Sequence, residues 1–298
     1  LPLLPNSNST VRESFVRDKV ILPPLPHFKV SVFKSTGFKP KAWTVKVPNG
    51  NQKRESVVCY CAKCGSTSLD SELYRILFGK PWPYSDWPWV QNLDSKRWKG
   101  LITQTTKWKN FEQSPSFAVV RDPKERLLSA FRSKVRCQSN NLADRKRLVP
   151  QLLKLAGLSK ESASKPLDGP GLCLNETIYL QALFMIHEKE LQGRLDAHFL
   201  PQHLNCFLNV PPSKWSIVTT IGSAKAICDL ELVVLGKSKG ESCSFAKAHA
   251  TNSTFIEYSA KDNRASAHVK PQTLSTIDEA RLDAITREEY SIFGSYLD

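Results

Sequence analysis

The run Lys63-Cys64-Gly65-Ser66-Thr67-Ser68 places one mobile cation and one glycine beside three hydroxyls. Such a set can close around an anion if it forms a turn at the start of a helix. Helix N-termini offer amide N–H groups and a partial positive charge, and a glycine lets the backbone curl close to phosphate or sulfate oxygens. The run is not a Walker A loop, because Gly-x-x-x-x-Gly-Lys-Ser/Thr is absent and no acidic residue is placed to hold magnesium. A second candidate is Arg121, whose planar fork suits phosphate, followed by Ser129.

The elements expected to position these residues alternate between strand and helix. Val57, Val58 and Tyr60 suit a buried strand leading into the first turn, and Leu69, Leu73, Ile76 and Leu77 mark one face of the helix after it. Phe117–Val120 reads as a second strand. Asp122 then stands as N-cap, Pro123 at the first helical position and Glu125 at the third, a helix start with Arg121 at the junction. Leu127, Leu128, Phe131 and Val135 supply that helix's buried face. A third strand is expected at 216–222, with helices over 176–192 and 224–235. Residues 138–172 read as a polar surface excursion, 196–207 as a loop carrying histidines, and the close of the chain as a last helical turn and tail. Residues 79–116 are irregular and rich in tryptophan. Trp82, Trp87, Trp89 and Trp98 either pin a long loop to the core or offer a platform for sugar rings. The alternation predicts a three-layer α/β domain with a central parallel sheet.

Composition narrows the partners. The chain of 298 residues carries 42 Lys and Arg against 28 Asp and Glu, a net charge of +14. That excess favours an anionic partner: nucleic acid, a membrane surface, a polyanionic glycan or a nucleotide cofactor. No nucleic-acid-binding signature accompanies it, and no run approaches the roughly 20 apolar residues of a membrane helix. The start at Leu1 suggests a mature or truncated form. Cys61 and Cys64 form a Cys-x-x-Cys, but no second pair or paired histidines complete a zinc site. Eight cysteines and three Asn-x-Ser/Thr sequons, at Asn8, Asn175 and Asn252, tilt the compartment towards the secretory lumen. Residues 1–54, rich in Pro, Ser, Asn and Lys, read as a stem or an extended arm.

Together, "KCGSTSL" and "VVRDPKERLLSAFRSK" resemble the two cofactor signatures of sulfotransferases that use 3′-phosphoadenosine 5′-phosphosulfate. Three further blocks are similar to the Golgi carbohydrate branch, which includes the chondroitin, dermatan and N-acetylgalactosamine 4-O-sulfotransferases. They are "DAHFLPQHLNC", "TTIGSAKAICDLELVVL" and "EEYSIFGSY". The Gly-Ser-Thr turn itself is closer to the heparan sulfate 2-O form. Ala62 replaces the usual proline, Phe199 a tryptophan, and Asn209 the branch's second cysteine.

The resemblance implies a P-loop-NTPase-like sulfotransferase domain over 55–298. It implies in-line transfer of a sulfuryl group to a hydroxyl of a carbohydrate acceptor, and no metal. Lys63 through Ser68 would hold the 5′-phosphosulfate, with Lys63 at the breaking bond, and Arg121 and Ser129 the 3′-phosphate. Nucleic acid is not an expected partner. His198 is the first candidate for general base, with Asp86, Asp94 and His203 as alternatives. Ile221-Gly222-Ser223 and Lys261–Arg264 are candidates for the adenine contacts. The implied location is the Golgi lumen, as a type II ectodomain whose anchor lies outside this chain. A small hydroxylated metabolite or a protein tyrosine is an alternative acceptor, and a non-catalytic polyanion-binding module an alternative role.

Overall fold

Val57 and Cys59 on one side and Val58 on the other are all buried, so the strand that carries them has two apolar faces and needs cover on both. In the computed structural model this strand lies inside a five-stranded sheet. The structure describes residues 20–26, 42–49, 52–83, 98, 100–104, 111, 114–139, 141–166, 170–207, 210–221, 224–237 and 273–297. The strands are β1 (Trp43–Asn49), β2 (Gln52–Tyr60), β3 (Ile102–Gln104), β4 (Ser116–Val120) and β5 (Ile217–Thr220), in the spatial order β3-β1-β2-β4-β5. β2, β4 and β5 run parallel, with Val57 opposite Ser116 and Phe117 opposite Ile217. β1 is antiparallel to both of its neighbours.

The expected parallel centre is present, and an antiparallel flank extends it into a mixed sheet. β1 and the first residues of β2 lie within 1–54, the segment read as an arm. Pro48 is accommodated in β1 because β3 pairs only with Trp43–Val45, so no neighbour on that side asks for its missing N–H.

The helices are α1 (Ser66–Phe78), α2 (Pro123–Lys134), α3 (Leu142–Ala156), α4 (Glu176–Glu188), the short α5 (His203–Cys206), α6 (Ala224–Leu235) and α7 (Thr276–Phe293). Leu69, Leu73 and Ile76 of α1 and Leu230, Val233 and Val234 of α6 pack with Val45, Val58, Phe117 and Val119 on one face. Val57, Cys59, Ala118 and Val120 face Cys206, Phe207, Trp215 and Phe293 on the other. This alternation along each strand yields the three layers. Beyond the second face, α2, α3, α4 and α7 form a helical cluster around Leu127, Phe131, Leu152, Tyr179 and Ile285.

Four sequence expectations need correction. Residues 138–172 contain α3, whose Leu148, Val149, Leu152, Leu153 and Ala156 are buried, while Pro150 stays on the exposed side. The close of the chain is an 18-residue helix, not a single turn. The expected helix over 176–192 ends at Glu188, and residues 203–206 of the expected loop are helical.

Disulfides Cys59–Cys206 and Cys137–Cys173 tie β2 to α5 and the exit of α2 to the entry of α4; Cys61–Cys64 lies in the first turn. Cys228 is disulfide-bonded as well. Trp82 and Trp98 are buried and pack around Tyr74, which is the pinning role. Trp87 and Trp89 lie outside the described residues. No helix among the described residues is long and apolar enough to cross a membrane.

Candidate functional site

β2 and β4 end side by side, and each hands its chain to a helix. At the first junction the backbone turns through Lys63 (φ 69°) and Gly65 (φ 74°), both left-handed. Lys63 adopts this conformation with a side chain, which costs roughly 1–2 kcal/mol. Gly65 has a second reason to lack one: a Cβ there would overlap the Ile221 side chain. Gly65 is also the N-cap of α1. As a glycine it brings no capping side chain, and the first turn of α1 holds no carboxylate, so the helix's own start supplies no acid to offset its positive end.

At the second junction Asp122 caps α2, its Oδ1 accepting from the Glu125 amide at 2.9 Å, with Pro123 at the first position as expected. Its Oδ2 accepts from the Tyr290 hydroxyl. Arg121, half-buried, donates from Nη1 to the Lys63 carbonyl at 3.1 Å, and its Nη2 lies 3.8 Å from Glu125. Burial draws the Arg121 pKa down, with Glu125 opposing and Arg132 adding to the effect. Ser129 follows Glu125 by one helical turn and is half-buried.

Gln202 holds the junctions in register. Its Oε1 accepts from the Arg121 amide at 3.0 Å, its Nε2 donates to the Arg121 carbonyl at 2.7 Å, and its Oε1 lies 3.6 and 3.7 Å from the Cys64 and Cys61 sulfurs. Its own amide donates to Glu289 Oε1 at 2.5 Å. Glu289 and Arg126, both fully or nearly fully buried, pair at 3.5 Å, and Arg126 donates to the His198 carbonyl at 3.2 Å. Burial pushes the Glu289 carboxyl up and Arg126 pulls against that.

His198 reaches the same region from the 196–202 loop. Its Nδ1 lies 2.5 Å from Asp196 Oδ1, and the Asp196 carboxylate also accepts from Arg147 at 2.8 Å. Burial lowers the His198 pKa; Asp196 raises it, and Lys134 and Lys63 lower it, so Lys63 stands within electrostatic range of the ring. His203, the alternative histidine, is buried in α5 and driven down to about 4, chiefly by burial with Arg126 adding to it. Asp86, Asp94, Gly222, Ser223 and residues 261–264 lie outside the described residues. Ile221, beside Gly65, is the described part of the adenine candidates.

A family model described as the sulfotransferase family matches residues 51–296. The chain belongs to the sulfotransferase family. Neither the comparison with curated proteins nor the comparison with solved structures finds a match. In this sulfotransferase the two sequence motifs meet at the C-terminal ends of adjacent parallel strands, where open α/β sheets bind ligands. Several contributors were missed in sequence. Asp196 and Gln202 lie inside the quoted "DAHFLPQ" block and Glu289 and Tyr290 inside "EEYSIFGSY", so the blocks marked the region without assigning these residues. Arg147 carried no signal, because it belongs to the helix read as a surface excursion.

Proposed function

We propose that this sulfotransferase takes its sulfuryl group from 3′-phosphoadenosine 5′-phosphosulfate and passes it to a hydroxyl of a carbohydrate acceptor in the secretory lumen. The observation that carries the donor assignment is the Arg121-to-Lys63 hydrogen bond, which draws an uncapped helix start and a phosphate-type arginine into one locus. The residues fit such a donor. Gly65 lets the turn close against Ile221 with no side chain of its own, the amides and hydroxyls of Ser66, Thr67 and Ser68 suit one anionic group, and Arg121 with Ser129 suits another. When bound, the donor supplies the activated sulfuryl group.

Lys63 brings a point charge to the oxygen that gains negative charge as transfer proceeds, and the turn amides hold the part that stays behind. Because Nδ1 of His198 is engaged by Asp196, Nε2 is the ring nitrogen that accepts the acceptor hydroxyl's proton. Preorganised charge and positioning supply the rate, as in phosphoryl transfer.

The net charge of +14 supports an anionic glycan as the acceptor, and disulfides joining distant elements support an oxidising compartment. A donor-fixed screen with labelled sulfate tests the acceptor class, offering polysaccharides, phenols and tyrosine peptides in parallel. Label on polysaccharide alone is the expected result. Label on phenols or peptides alone would overturn the carbohydrate assignment and leave the donor assignment standing.

A further inference from the structure

His198 ends a chain of alternating charges that crosses three elements. Lys134 Nζ, in the last turn of α2, lies 2.6 Å from Asp144 Oδ2, in the first turn of α3. Asp144 Oδ1 lies 3.4 Å from Arg147, one turn further along α3. Arg147 donates to Asp196 Oδ2 at 2.8 Å, and Asp196 Oδ1 meets His198 Nδ1. The same Asp196 oxygen accepts the backbone amide of His198 at 3.1 Å, closing a local ring that fixes the loop as well as the imidazole. Arg126 then pins the His198 carbonyl from α2.

The distribution of exposure is informative. The Arg147 side chain is 56% exposed, whereas Asp196 is 14% and His198 27%. An exposed ion pair alone contributes little to stability, a median of about 0–1 kcal/mol, so stability is a weak reason for this arrangement. Orientation is a better one. Asp196 uses one oxygen for the ring and the other for Arg147, so the carboxylate plane is set by the arginine and the ring plane by the carboxylate. Asp144 holds Arg147 in turn and is held by Lys134 on the helix that carries Ser129 and follows Arg121. Arg147 is thereby linked to the helix that the donor assignment uses.

We infer that Asp196 and Arg147 are positioning residues for His198, Asp196 fixing the Nδ1–H tautomer and Arg147 fixing Asp196. This rests on the reading of His198 as the general base. The charged groups acting on the ring are Asp196 from its own loop, Lys134 from α2, Asp144 from α3 and Lys63 from the first turn, with Arg147 of α3 on the other Asp196 oxygen. The Asp196 carboxyl is held well below the ordinary carboxylate range, with the bond to His198 and then Arg147 as the main causes acting against burial. It is therefore ionised throughout the neutral range.

The sign of each change follows. Asp196→Asn removes the anion that favours the charged imidazole and leaves the cations around it, so the His198 titration midpoint falls, by about one pH unit. Arg147→Ala removes a cation and leaves Asp196 to the ring alone, so the midpoint rises.

The test is ¹H–¹⁵N histidine titration by NMR on the full chain, a readout independent of the acceptor. His198→Ala identifies the His198 signal, and thermal melting confirms that each variant is folded. The expected result is a wild-type neutral ring protonated at Nδ1, with opposite displacements of the midpoint in Asp196→Asn and Arg147→Ala. Arg147→Lys should recover part of the Arg147→Ala displacement. A wild-type ring protonated at Nε2, or a midpoint unmoved in both variants, would overturn the inference. Should Asp196→Asn fail to fold, the wild-type tautomer and the Arg147 variants still decide.

With the best acceptor of the screen, His198→Ala that keeps wild-type kcat would overturn the base reading itself. His198→Ala that loses the rate while Asp196→Asn keeps it would overturn only the positioning role. The expected loss in Asp196→Asn is about 10-fold or more in kcat, with affinity for 3′,5′-bisphosphoadenosine unchanged.

Discussion

The two strand-to-helix junctions differ in who satisfies the helix end. At α2 the protein supplies its own anions: Asp122 caps the helix and Glu125 stands in the first turn. At α1 the N-cap and first turn supply none, and the chain uses two left-handed residues, Lys63 and Gly65, to open the turn. Adjacent parallel strands thus feed two helices with opposite electrostatic ends. The uncapped end suits an external anion held by backbone amides, whereas at the capped end the proposed function gives that work to side chains, Arg121 and Ser129. A strand–turn–helix pattern alone does not make an anion site; the absence of an internal cap distinguishes the first junction.

Breaking the first junction at its cation should have the largest effect. Lys63→Ala is expected to lower kcat about 10²–10³-fold in the labelled-sulfate assay, the usual scale for removing one group that stabilises developing charge. Arg121→Ala should weaken 3′,5′-bisphosphoadenosine binding roughly 10- to 100-fold by calorimetry, since hydrogen bonds to charged groups contribute about 1.5–3 kcal/mol. Making the first junction resemble the second is a sharper probe. Ser66→Asp adds a carboxylate to the first turn of α1, which should steady the helix by about 0.3–1 kcal/mol while cutting donor-product affinity about 10-fold. Unchanged affinity would show that this helix end does not face the ligand. Removing the internal cap has the smallest effect: Asp122→Ala should cost about 1 kcal/mol of stability, seen as a lowered melting temperature, with donor-product affinity within about 3-fold.

What sequence could show followed what is local. The apolar runs of β2, β4 and β5, the Asp122-Pro123-Glu125 start of α2 and the Gly-Ser-Thr turn each occupy a few consecutive residues, and all are present. α3 was hidden because Lys, Arg and Pro150 on its outer side interrupt the apparent period of Leu148, Val149, Leu152 and Leu153. α7 was shortened because small or polar residues, Asp278, Ala280, Ala284, Thr286 and Glu289, share its buried face with Leu282, Ile285 and Phe293 and blur the apolar period. The Gln202 bracket on Arg121 spans 81 residues and the Tyr290 contact with Asp122 spans 168, separations that no local pattern reports. Cys59–Cys206 could not be paired from an even count of eight. The candidate residues at the two junctions could therefore be named from local sequence, and the frame around them could not.

The central claim is that the two junctions form one site for a ligand with two separated anionic groups. Calorimetric affinities for 3′,5′-bisphosphoadenosine and for adenosine 5′-monophosphate, measured on the wild type and on Arg121→Ala, test it directly. The wild type should prefer the bisphosphate by about 10-fold or more, and Arg121→Ala should erase most of that preference. Equal affinity of the folded wild type for both nucleotides, or binding of neither, would contradict it.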